Sequence, residues 1–105
     1  MENSSDASEA SKTVVNCEPV LDINSATSLY SHLKDAIEHK HEVDINIEEV
    51  TRVDTAILQI FTAFIFEAKT LQLSVNWIGV SKNFFATAKL LGLERELALP
   101  IPEEG

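Results

Sequence analysis

The chain has 105 residues, which is enough for one domain and too few for two separate cores. Hydrophobic residues make up 45% of it and charged residues 24%, a composition typical of a folded globular domain. Because 17 Asp and Glu oppose 8 Lys and Arg, the formal net charge is −9, which disfavours binding to nucleic acid or to an anionic membrane surface. We therefore expect protein partners and no nucleic acid.

Cysteine usage and hydropathy indicate a cytoplasmic protein that does not insert into a membrane. Cys17 is the only cysteine, so neither an intrachain disulfide nor a cysteine-based zinc site can form. The first residues lack the basic start and apolar core of a signal peptide. No apolar run reaches the roughly 18 residues that a membrane-spanning helix needs.

The first half of the chain predicts a tail, a strand region and a helix. Residues 1–12 are rich in Ser, Ala and acidic side chains, and we expect a disordered tail there. The β-branched segments Thr13–Cys17 and Val20–Leu21 indicate strands. Several capping residues follow in Asp22–Ser25, and apolar residues then recur at spacings of three and four until about His39, which predicts the first helix.

A strand and a long apolar helix form the centre of the chain. Val43, Ile45 and Ile47 alternate with polar residues, as in a half-buried strand. From Thr55 onward, the apolar residues recur with a period of about 3.6 residues, as in a helix. The predicted core face of this second helix comprises Ile57, Ile60, Phe61, Phe64 and Ala68. The opposite, polar face comprises Thr55, Gln59, Thr62 and Lys69, and it also carries one aromatic residue, Phe66.

The last part of the chain predicts one more strand and one more helix. Leu71–Ile78 alternates as a strand does, and Gly79 is expected to form the turn after it. Ser81 is the predicted N-cap of the last helix, and Gly92 its C′ residue. The predicted buried residues of this region are Phe84, Phe85, Ala88, Leu91, Leu93, Leu97 and Leu99.

Strands that alternate with helices predict an α/β fold, here a small mixed β-sheet covered by helices. We place one domain at residues 13–99, followed by a C-terminal tail at residues 100–105.

The residues that enzymes need are missing, so we predict a protein that is not an enzyme and has no cofactor. Glycines occur only at positions 79, 92 and 105, which cannot form a glycine-rich phosphate loop. The three histidines lie in or beside the first helix, with no motif that would present a nucleophile. We interpret His39 and His41 as part of an exposed turn, and the acidic residues around Asp54 as a solvated rim, so no metal site is expected.

Thr55 has two possible roles on the local sequence alone. It lies at or next to the N-cap of the second helix, beside Asp54, where a hydroxyl can accept hydrogen bonds from free backbone N–H groups. A phosphate on the same hydroxyl would also be stabilised by those N–H groups and by the helix dipole, although Asp54 would oppose it. Thr55 is therefore either a structural cap or a phosphoacceptor.

Three segments of the chain match a known family pattern: Val20-Leu21-Asp22, Val53-Asp54-Thr55, and Ser81 through Leu91-Gly92-Leu93. Through them the chain resembles STAS domains from about Val14 to Leu99. These domains include bacterial anti-sigma-factor antagonists, the C-terminal part of sulphate transporters, and a small subunit of a bacterial phospholipid ABC transporter. The chain differs from the family where glycine is common, with Pro19 before the early Asp and Ile57 two residues after Thr55. Ile57 is expected to add bulk beside the acceptor.

The resemblance implies a bacterial signalling module that binds a partner protein and is switched by phosphorylation of Thr55. The implied partners are an anti-sigma factor or histidine kinase-like ATPase, or a chemotaxis-type regulator, because Trp77 followed by Ser81 is similar to STAS proteins encoded beside chemotaxis genes. The alternative is a STAS subunit of a phospholipid-transporting ABC assembly, bound to its ATPase. The predicted partner-binding residues are Asp22, Asp54, Thr55, Leu58, Gln59, Thr62 and Phe66.

Overall fold

The computed structural model describes residues 12–100, which form five strands and three helices. In chain order these are β1 (Lys12–Asn16), β2 (Val20–Leu21), α1 (Ile23–Glu38), β3 (Glu42–Ile47), β4 (Arg52–Val53), α2 (Thr55–Thr70), β5 (Val75–Val80) and α3 (Lys82–Leu90). The predicted tails lie outside the described residues, apart from Lys12, which is the first residue of β1, and Pro100.

Two parallel ladders make up the sheet structure. The larger has the strand order β1-β3-β5, and the smaller pairs β2 with β4. All pairings within residues 12–100 are parallel, so this part of the chain forms no mixed sheet. The reason is that a helix follows β2, β4 and β5 in turn, and a helical crossover returns the chain so that the next strand runs in the same direction. The predicted α/β fold is confirmed.

Strand β5 begins later than its hydrophobic alternation predicted, at Val75 and not at Leu71. The preceding helix continues to Thr70, and Leu71 is its C-cap. Gln72 then adopts a left-handed conformation with φ of 61°, and the N–H of Leu73 donates to the carbonyl of Ala68 at 2.8 Å. These bonds close the helix end, and they leave Leu71 and Leu73 outside the ladder.

Gly79 forms a bulge within β5, whereas the sequence predicted a turn there. Ile45 pairs with Trp77, but the next aligned pair is Ile47 with Val80, so β5 contains one extra residue at this point. The bulge requires the positive φ of Gly79, which is +73°.

The core lies between the large sheet and the helices, and no polar or charged residue of segment 12–100 is buried in it. The Phe61 ring packs edge to face with the rings of Trp77 and Phe84, and the Trp77 Nε1 donates to the carbonyl of Leu97 at 2.8 Å. Leu97 and Leu99 are buried as predicted, but Leu91, the C-cap residue of α3, is exposed. None of the three helices in this region is long and apolar enough to cross a membrane.

Within residues 12–100, the other face of the three-stranded sheet is exposed and mainly polar, although it also carries the exposed Val14. Alternate residues of β3 point to this face, and Asp44 lies at its middle. Its carboxylate accepts from Asn76 Nδ2 at 2.9 Å and lies 3.3 Å from Lys12 Nζ. Parallel sheets are usually covered on both faces, whereas in the described part of this chain hydrogen bonds between polar side chains of neighbouring strands occupy the second face.

Candidate functional site

The paired strands β2 and β4 place the starts of two helices side by side. Val20 pairs with Arg52 and Leu21 with Val53, and the N–H of Asp54 donates to the carbonyl of Leu21 at 3.0 Å. A helix follows each strand directly, so the first turns of α1 and α2 lie at the same edge of the domain. We call this region, residues 19–22 and 51–55, the elbow.

The elbow is held in place by hydrogen bonds to backbone carbonyls. The carbonyl of Pro19 accepts from the backbone N–H groups of Thr51 and Arg52 and from the Thr51 hydroxyl. The side-chain amide of Asn83, in α3, donates to the Thr51 carbonyl at 3.1 Å. These bonds link β2, β4 and α3, and together they fix the position of the segment that leads into α2.

The two aspartates of the elbow behave differently, although both occupy N-cap positions. Asp22 caps α1 in the ordinary way, because its Oδ1 accepts from the backbone N–H of Asn24 at 2.9 Å. Asp54 precedes α2 but makes no side-chain bond to that helix. Its Oδ1 instead lies 3.3 Å from Nε of Arg52.

Thr55 is the first residue of α2, and its side chain is exposed. The N-cap position belongs to Asp54, so Thr55 lies next to the cap and is not the cap itself. Its exposed hydroxyl stands at the positive end of the helix dipole.

The exposed side of α2 carries three more of the predicted binding residues. Gln59 is exposed, and Phe66 is 73% exposed, an unusual degree for an aromatic side chain. Thr62 is partly buried, and its hydroxyl donates to the carbonyl of Leu58 at 2.8 Å. We call Thr55, Gln59, Thr62 and Phe66 the α2 face.

Leu58 was wrongly assigned to the binding surface, because it is 0% exposed and belongs to the core. Ile65 lies two turns further along the same line of the helix, and it is also buried. The buried arc of α2 is therefore wider than the single stripe that the sequence predicted.

Ile57 was also misjudged, because it adds no bulk beside Thr55. It is fully buried in the core, so the surface around the hydroxyl is unaffected by the replacement of glycine. Pro19, the other departure from the family pattern, contributes the carbonyl that holds β4.

Acidic side chains surround the elbow. Glu48 and Glu49, in the turn after β3, are exposed, as is Glu18, just before β2. Asp22 and Asp54 are partly buried. Among the residues of the elbow itself, Arg52 is the only cation, and it lies against Asp54. The elbow and the segments next to it in sequence therefore carry more negative than positive charge.

Comparison with known proteins identifies the family. A family model described as "Mlab, STAS domain" matches residues 4–101, nearly the whole chain. No curated protein matches. The matched region contains the three helices, both ladders and the elbow, so the resemblance seen in the sequence is confirmed. The chain belongs to the STAS domain family.

Proposed function

We propose that this protein is a non-catalytic interaction module of the anti-sigma-factor-antagonist type, which binds a protein partner through the α2 face and is switched by phosphorylation of Thr55. The observation that carries this proposal is the placement of an exposed Thr55 hydroxyl directly after Asp54, on the same side of α2 as the exposed Phe66. STAS domains mediate protein–protein interactions, and this face combines a modifiable group with an apolar contact.

A phosphate at Thr55 would be placed at the start of a helix whose N-cap side chain leaves the first-turn N–H groups free of side-chain bonds. Those N–H groups and the helix dipole favour an anion. Asp54 opposes the added charge, but Arg52 lies against its carboxylate and offsets part of the repulsion. The modification would add about 1.5 to 2 negative charges to a surface that is already acidic.

The acidic surroundings favour a partner with basic residues in its contact surface. Phe66 would supply an apolar anchor, since aromatic side chains often contribute most to binding at such contacts. Adding a phosphate would either weaken the contact by repelling acidic groups or strengthen it through an Arg cluster. We propose a cytoplasmic anti-sigma factor or histidine kinase-like ATPase as this partner, or a chemotaxis-type regulator.

The test combines partner recovery with measurements of phosphate. Affinity purification from the native cells, followed by mass spectrometry, would identify the partner. Intact-mass analysis would then follow transfer of phosphate from ATP in the presence of the recovered kinase. We expect a single phosphate on the wild type, none on Thr55→Ala, and normal transfer to Thr70→Ala, a control at an exposed threonine at the other end of α2.

A second candidate function uses the same α2 face but needs no phosphorylation switch. In a phospholipid-transporting ABC assembly, the α2 face would hold an ATPase permanently, and the exposed Phe66 suits such a constant contact. Recovery of an ABC ATPase and its permease, with no phosphate on Thr55 and unchanged binding by Thr55→Ala, would favour this subunit role over the switch.

A further inference from the structure

A groove of about 510 Å³ lies between α1 and α2. Its lining is mainly apolar, with a few charged residues at the rim. The lining residues are Tyr30, Leu33, Lys34, Ile37, Glu38, Ala56, Gln59, Ile60, Ala63, Phe64 and Glu67. The groove is open along its length, since Ala63 is exposed and Tyr30 is 55% exposed.

The α2 wall of the groove has the residue spacing of a helix-packing seam. On α2, Ala56, Ile60, Ala63 and Glu67 follow one another at spacings of four, three and four. This is the repeat by which one helix packs against another. The two alanines leave room for a close approach between backbones, and Tyr30 on α1 offers an aromatic edge on the opposite wall.

The rim charges distinguish between possible occupants. On the α1 side, Lys34 lies 3.8 Å from Glu38, so these two charges partly offset each other. Glu67 lines the α2 side, and the whole chain has a formal charge of −9. A second copy of this acidic chain would meet like charge at the rim, whereas a helix bearing Lys or Arg beside its apolar stripe would meet opposite charge.

We propose that this groove binds an amphipathic, basic helix of a protein partner. The helix would place its apolar side on Ile60 and Phe64 and a basic residue near Glu67. The groove adjoins the α2 face at Gln59, which belongs to both surfaces. The inference goes beyond the proposed switch, because it needs no phosphate on Thr55.

The test uses fluorescent peptides of about 16 residues, the length of α1 and of α2, with Leu at heptad spacing. One peptide has Lys at its polar positions and the other has Glu. Fluorescence anisotropy gives each Kd, and amide chemical shifts locate the binding site. We expect the Lys peptide to bind at least about tenfold more tightly at low salt and to shift amides of the groove residues. Equal binding of both peptides, or shifts outside the groove, would overturn the proposal.

Variants separate groove binding from attraction to an acidic surface in general. Ala63→Trp should fill the groove and raise the Kd of the Lys peptide at least about tenfold. Ala86→Trp, at an exposed position on α3, should leave that Kd unchanged. Glu67→Lys should weaken binding of the Lys peptide and strengthen binding of the Glu peptide. Circular dichroism checks that each variant is folded. Binding retained by both Ala63→Trp and Glu67→Lys would refute the proposal.

Two further measurements address other occupants and the proposed switch. Sedimentation that reveals a dimer, abolished by Ala63→Trp, would assign the groove to a second copy and overturn the proposal. Thr55→Ala should bind the Lys peptide like the wild type. The groove can therefore be confirmed even if Thr55 carries no phosphate, and it can fail while the switch holds.

Discussion

The Nε of Arg52 lies 3.3 Å from Oδ1 of Asp54, and the Asp54 carboxylate makes no hydrogen bond to the helix that it precedes. α1 and α3, by contrast, begin with side-chain caps from Asp22 and Ser81. Of the three described helices, α2 is thus the one whose N-terminus has no side-chain cap from its N-cap residue. That end of α2 can accept an anion without displacing an existing cap bond.

Thr55→Ala should leave the free energy of unfolding within about 0.5 kcal/mol of the wild type, because Thr55 is exposed and does not occupy the N-cap position. Ser81→Ala is the matched comparison. The Ser81 hydroxyl accepts from the N–H of Phe84 at 3.0 Å, so its loss should cost about 1 kcal/mol. Urea unfolding measures both values, and a larger loss for Thr55→Ala than for Ser81→Ala would contradict this assignment of caps.

Phe61 and Phe66 should respond in opposite ways to truncation, although they are five residues apart on one helix. Phe61 is 0% exposed and packs on Trp77 and Phe84, so Phe61→Ala should cost about 3 to 5 kcal/mol of stability. Phe66 is exposed, so Phe66→Ala should change stability by less than about 0.5 kcal/mol and weaken binding of the recovered partner. Urea unfolding of both variants measures stability, and the Kd for the recovered partner measures binding. Stability loss from Phe66→Ala with unchanged binding would assign Phe66 to a structural contact.

Periodicity in the sequence predicted the three helices and most of the strands, although not β4. Val43, Ile45 and Ile47 alternate with polar residues, and all three are fully buried, because alternation by two follows directly from strand geometry. The exposure of Phe66 was likewise expected from its position opposite the core stripe of α2. These features depend on local geometry alone.

Other features depend on neighbouring elements, and local sequence could not reveal them. The burial of Leu58 depends on how wide an arc of α2 is covered by the elements packed around it. The bulge at Gly79 depends on pairing with β3. The groove was not foreseen, because Ile60 was counted as a core residue. It proved only partly buried, because α1 and α2 leave a gap between them.

Gly79 and Gly92 should differ in their tolerance of a side chain, although both have φ of +73°. A Cβ on Gly79 would lie 2.9 Å from Cβ of Glu48 and 3.0 Å from Oδ1 of Asn46, whereas a Cβ on Gly92 would meet no atom within 4 Å. Gly92→Ala should therefore cost only the backbone strain, about 1 kcal/mol, and Gly79→Ala at least about 2 kcal/mol. Thermal or urea unfolding gives the comparison. Equal losses would mean that the neighbours of the bulge move aside freely.

Asp44, on the open face of the sheet, should contribute a pH-dependent part of the stability. The pKa of its carboxyl group lies below the ordinary value, first because Asn76 donates a hydrogen bond to it and then because Lys12 lies beside it. Since the pKa is lower in the folded state, the stabilisation is present above the unfolded pKa of about 4 and is lost as the pH falls through the folded value.

Asp44→Asn removes this titration, so the free energy of unfolding of wild type and variant should differ most near neutral pH and converge on acidification below about pH 4. The direct check is an NMR titration of the Asp44 carboxyl group. Its pKa should rise in Asn76→Ala, because that change removes the largest cause of the shift, the bond from Asn76 Nδ2 at 2.9 Å. Asn83→Ala is the control, since Asn83 bonds to the Thr51 carbonyl and does not contact Asp44. An Asp44 pKa that is unchanged in Asn76→Ala would show that the cross-strand hydrogen bond does not stabilise the charged carboxylate.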